Sequence, residues 1–96
     1  MTQLPQDITR LDTALLNFPE GEVLASYADI LKRAKLIHKA TYFGNIKHEK
    51  VTIVFAGEAA EVYHIYTTIW LHYSGHIFLK GDITIPVARI LDIRFD

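Results

Sequence analysis

The 96-residue sequence predicts an α+β fold, an N-terminal helical segment followed by an antiparallel β-meander of five to six strands. Two patterns carry this reading. Apolar residues step by three and four up to about Ala34, and beyond Lys35 β-branched and aromatic residues alternate, interrupted by glycine and polar clusters. Length adds a third observation, because a chain this short has room for one core. Residues 1–96 are therefore expected to form a single domain, helical over about 7–34 and a β-meander over about 36–95.

Ile8, Leu11, Leu15 and Phe18 fall on one helical face and predict a helix over 7–18, with Asp7 as N-cap and Pro19 and Gly21 ending it. A second helix is expected over 26–34. Ser26 and Asp29 there make a capping-box-like pair, and Tyr27, Ile30, Leu31 and Ala34 share a face, although the same residues also suit the start of a strand.

Strands are expected over 36–46, 51–56, 62–72, 76–80, 83–85 and 91–95, joined by short turns at 47–50 and 57–60. Short serial connections imply antiparallel neighbours. Pro86 has no amide to donate, which assigns it to a strand end or an edge. A three-residue loop Tyr73-Ser74-Gly75 pairs His72 with His76, Leu71 with Ile77 and Ile69 with Leu79, leaving the aliphatic residues on a core face. The opposite face then carries His64, Tyr66, Thr68, Trp70 and His72, with His76, Phe78 and Lys80 alongside. At Gly81-Asp82 two loop lengths are open. A two-residue loop pairs Phe78 with Ile85, whereas a longer one returns Ile83 and Ile85 to the core face. Such strands suit a curved sheet backed by the helices, or a small barrel of the SH3 or Sm kind, as a comparison of architecture alone.

Half the residues are hydrophobic, a large share to hide in so small a body, so a homo-oligomer or protein partner is expected to cover part of it. A formal charge of −1 disfavours nucleic acid as a partner. The absence of cysteine removes disulfides, thiolate nucleophiles and cysteine-ligated zinc, and points to the cytoplasm. No basic start leads into a hydrophobic leader, and no run reaches the ~18 apolar residues of a membrane span, so no membrane association is expected.

The aromatic stripe Tyr66, Trp70 and Phe78 with Lys80 at its rim has the residue types of a ligand platform, flat rings beside a cation. The stronger reading is a second core, with the helix from Ile8 to Phe18 burying its stripe on the Trp70 and Phe78 face, or an oligomer interface. His64, His72 and His76 on one strand face are the candidate metal ligands, without a flanking general base. Lys32, Arg33, Lys35 and Lys39 form the densest basic cluster and are the candidate phosphate contacts, or a solvated helix end. No catalytic residues and no cofactor emerge: Ser26 and Ser74 lack a nucleophile elbow, the glycines are isolated, and Asp12, Asp29, Glu58 and Glu61 are spread over several elements. The expectation is a non-enzymatic interaction or accessory domain that self-associates. Its alternatives are a nucleic-acid-binding small β-barrel using the aromatic face, and a histidine-based metal or small-molecule enzyme.

Overall fold

In the computed structural model, which describes residues 4–59 and 61–96, the chain runs β1 (Gln6–Asp7), α1 (Arg10–Ala14), α2 (Tyr27–Lys47), β2 (Val51–Ala56), β3 (Val62–Thr67), β4 (Ile69–Tyr73), β5 (His76–Leu79), β6 (Ile83–Pro86), a 3-10 turn (Val87–Arg89) and β7 (Ile90–Arg94). The strands form two sheets, ordered β1-β3-β2-β7 and β4-β5-β6. The α+β class holds, with antiparallel pairing throughout except for β1, which runs parallel to β3 and raises the count to seven strands.

The strand expected over 62–72 breaks at Thr68, so β3 serves the first sheet and β4 the second. Neither sheet closes into a barrel. Pro86 ends β6 without an amide, the 3-10 turn redirects the chain, and β7 pairs with β2, Ile53 opposite Ile93. Between the sheets, Ile53, Phe55, Ile69, Ile77, Ile85 and Ile90 are fully buried, joined by Ile37 and Ala40 of α2. Each buried isoleucine contributes about 1.5–3 kcal/mol of transfer free energy.

The strand expected over 36–46 is the C-terminal part of α2 instead. Ser26 caps the helix as expected, its Oγ accepting from the Asp29 amide at 3.1 Å, and nothing breaks the helix before His48, at φ 55°. The buried positions are Arg33, Ile37, Ala40 and Gly44, spaced four, three and four. Only one of these is a large apolar residue, so hydrophobic periodicity hides the helix. Tyr27, Leu31 and Ala34, expected on an inner face, are exposed. Gly44 brings α2 against the backbone of β4, and Asn45 Nδ2 donates to the Trp70 carbonyl at 2.8 Å.

The first helix is shorter than expected and is capped by Thr9, whose Oγ1 accepts from the Asp12 amide at 3.0 Å, while Asp7 is taken up by β1. Leu11 and Leu15, expected on its inner face, are 72% and 71% exposed. Thr13 is buried in their place, and α1 leans on β6 rather than on Trp70 and Phe78. Ile8 and Phe18 do reach the core.

Two turns set the faces of the second sheet. The β4–β5 loop is two residues long, pairing Tyr73 with His76, because Ser74 and Gly75 both adopt positive φ, 53° and 77°. Ile69 faces Leu79 as expected, yet Leu71 faces Phe78 and His72 faces Ile77. Trp70 is thus the extra residue of a β-bulge, which reverses the facing of everything after it and leaves His72 and His76 unopposed. At the next turn the longer loop forms: Leu79 pairs with Ile83 across residues 80–82, and Ile83 and Ile85 join the core. The 57–60 turn keeps its place, with the Gly57 amide donating to the Glu61 carbonyl at 2.8 Å; its last residue, Ala60, lies outside the described residues.

Candidate interaction surface

Because Arg33, Ile37, Ala40 and Gly44 turn one side of α2 inward, residues near-opposite on the helix face solvent. Among them are four large side chains: Tyr27 is 74%, Leu31 45%, Tyr42 56% and Ile46 56% exposed. At about 1.5 Å per residue the stripe runs about 30 Å along the helix. Lys32, Lys35 and Lys39 are exposed beside it, and His38 meets the ring of His72 from β4, centroids 6.1 Å apart.

The basic cluster divides. Arg33 points inward with its side chain 5% exposed, donating from both Nη atoms to the Glu22 carboxylate and from Nη1 to the Ile90 carbonyl at 3.1 Å. Burial makes it a structural ion pair, out of reach of a phosphate. Lys39 Nζ lies 4.6 Å from the Phe95 ring centroid, while Lys32 and Lys35 pair with no carboxylate among the described residues.

The expected platform residues are dispersed. Tyr66 lies in the first sheet, where its hydroxyl donates to the Asp96 carboxylate, a bond that pushes its pKa up, and Lys50 Nζ approaches its ring. Trp70, half-buried in the bulge, meets the His48 ring edge-on at 5.4 Å. Phe78 is half-buried on β5 opposite Leu71, and Lys80 is exposed in the next loop. No two of Tyr66, Trp70 and Phe78 form a ring pair among the described residues.

The candidate metal ligands are dispersed as well. His64 pairs with Asp7, His72 with the His38 ring, and His76 Nδ1 with the Ser74 carbonyl at 3.0 Å. Among the described residues no three histidine or carboxylate side chains gather at a metal-binding spacing.

A second surface lies where α1 meets the β2–β3 turn. Leu11 and Leu15 stand out from α1 beside Asp12, and Glu58 Oε1 accepts from the Asn17 amide at 2.6 Å. Burial raises the pKa of Tyr63, and the carboxylates of Glu61, Glu58 and Asp12 push it up further, so all three negative charges act on one phenol. Of the clefts, one of about 270 Å³ is lined by Leu24, Leu36 and Leu91 with Asp29, Lys32 and Asp92, and one of about 350 Å³ by Glu49, Lys50, Tyr66, Phe95 and Asp96. Both mix charges of opposite sign, unlike a ligand pocket with a few convergent polar groups.

No protein-family model, curated protein or solved structure matches this chain. Among the described residues no helix is long and apolar enough to cross a membrane.

Sequence reasoning missed Tyr42, Ile46 and His38 by assigning them to a strand, and Leu11 and Leu15 by assigning them to a core. A signal for the first group exists in the four-residue steps from Tyr27 to Leu31 and from His38 through Tyr42 to Ile46. The single tryptophan reports on this region. Replacing His48 by Ala uncovers an edge of the indole, so Trp70 emission should shift to longer wavelength and acrylamide quenching should increase. Unchanged quenching would show that the imidazole does not shield it.

Proposed function

We propose that this protein is a non-enzymatic interaction domain that self-associates, with the outer face of α2 as its principal docking surface. One observation carries the reading: Tyr27, Leu31, Tyr42 and Ile46 are all at least 45% exposed along one side of one helix. Water-facing apolar stripes of this extent are uncommon on monomers and mark binding surfaces. Sedimentation velocity from low to high micromolar concentration tests it. The wild type should show a concentration-dependent rise in mass, and Leu31→Asp with Tyr42→Asp should abolish it. A strict monomer throughout would remove self-association.

The chain path supports assigning the fold to a half-open relative of small SH3- or Sm-type barrels, since one run from Val62 to Tyr73 feeds both sheets and a 3-10 turn precedes the strand that returns to β2. The cysteine-free composition supports a reducing, cytoplasmic setting.

Nucleic-acid binding is the second reading, favoured by Lys32, Lys35 and Lys39, exposed along the same side of α2. A single-stranded oligonucleotide titrated at low salt should then change Trp70 fluorescence and be retained by the protein. No change and no retention would eliminate it.

A further inference from the structure

The two exposed apolar surfaces carry opposite charge. On α2, Leu31 and Tyr42 are flanked by exposed Lys35 and Lys39, while Lys32 and Asp29, the helix's one acidic residue, both line the cleft toward Leu91. On α1 and the β2–β3 turn, Leu11 and Leu15 are accompanied by Asp12 and by Glu58, whose Oε1 accepts from the Asn17 amide, while the cation Arg10 lies close to Gly81. Different elements carry the two surfaces, since α1 packs on β6 whereas α2 packs on β4 and β7.

Resting on the self-association reading, we propose that the occupant of the α2 face is a second copy docked head-to-tail: its Leu11–Leu15 surface covers Leu31 and Tyr42, and its acidic groups meet Lys35 and Lys39. Symmetric docking of α2 on α2 would instead bring two sets of lysines together with Asp29 as the only acidic residue of either helix to offset them, which disfavours it. A heterologous pair keeps one unused surface of each kind, the α1 surface on one copy and the α2 face on the other, so assembly continues into a ring or an open chain. Opposite charges should also make it salt-sensitive, weakening as added salt shortens the screening length.

Two variants make the geometry testable by sedimentation velocity, with circular dichroism and thermal unfolding confirming that both fold. Leu31→Glu/Lys35→Glu disables the α2 face, and Leu11→Lys/Asp12→Lys disables the α1 face. Each alone should be at least tenfold weaker in self-association, and an equimolar mixture should form a 1:1 dimer that grows no further, because one competent contact remains. If the α2 variant is monomeric but the α1 variant still associates, docking is symmetric through α2 and the proposal is overturned. If both variants associate like wild type, or the mixture stays monomeric, head-to-tail docking is wrong while self-association itself stands. A wild type that is monomeric removes both readings, and wild-type monomers that bind polyglutamate or an oligonucleotide would assign the α2 face to an anionic partner of another kind.

Discussion

Replacing Glu22 by Gln should destabilise the folded domain by about 2–4 kcal/mol at neutral pH, measured by urea unfolding. The Arg33 guanidinium is almost wholly enclosed, and its charge is met by the Glu22 carboxylate and one carbonyl, that of Ile90. Breaking a fully buried pair on one side costs about 3–5 kcal/mol, and partial exposure of Glu22 lowers that figure, since water can reach the vacated position. Replacing Arg33 by Met removes the charge together with the need for a partner, and should cost clearly less than the Gln substitution. The same carboxylate also orders the segment leading into α2: Glu22 Oε2 accepts from the Leu24 amide at 3.0 Å, and the next residue, Val23, donates to the Ala88 carbonyl at 2.9 Å. Acid sensitivity follows from the direction of the pKa shift. The hydrogen bond from Arg33 lowers the Glu22 pKa below its ordinary 4.5, outweighing the opposing effect of burial. Its folded value therefore lies below the unfolded one, so the contribution is fully present above pH 4.5 and is lost as pH falls through the lowered value. The stability difference between wild type and the Gln variant should accordingly shrink in acid, and a difference independent of pH would show that the ion pair is not its source.

How much of this was legible depends on whether a signal is local. β2 begins and ends where the alternation of Val51–Ala56 places it, and β5, β6 and β7 follow within one residue, because their inward positions are filled by isoleucine and leucine. The Ser26 cap was legible for the same reason, as one side chain bonding to an amide three residues on. The rest of α2 was not. Its buried side holds Arg33, Ala40 and Gly44, two of them placed there by a distant group: Glu22 for Arg33 and the β4 backbone for Gly44. Its exposed side carries Tyr27 and Leu31, which pattern reading assigns inward, and Tyr42, which it assigns to a strand. The dispersed aromatic stripe has a comparable origin, since one extra residue at Trp70 reverses the facing of the strand and no neighbouring glycine announces it. For the same reason a surface of exposed Leu11, Leu15, Tyr42 and Ile46 was hidden: residues whose chemistry says core are placed outside by contacts that other residues make.

Gly44 gives the sharpest test of that argument, because local and tertiary effects predict opposite signs. Within a helix, exchanging glycine for alanine normally stabilises by roughly 1 kcal/mol, through the lower entropy of the unfolded chain. At position 44 the added Cβ would run into the Ile69 carbonyl oxygen and lie 3.1 Å from Thr68 Cγ2. The first contact is with backbone at the start of β4, where Ile69 is held by its pairing with Leu79, so no flexible side chain can move aside. Overpacking of this kind costs about 1–3 kcal/mol, occasionally more, and α2 would have to lift from β4 to relieve it. Gly44→Ala should therefore destabilise by about 2 kcal/mol or more in chemical unfolding, and weaken the bond from Asn45 to the Trp70 carbonyl, with a change in Trp70 emission as the local readout. Ala34→Gly, on the exposed side of the same helix, should cost only the ordinary ~1 kcal/mol. If Gly44→Ala instead raises stability, α2 does not press on the strand at this point, and the inward side assigned to the helix, with the outward stripe that follows from it, would have to be redrawn.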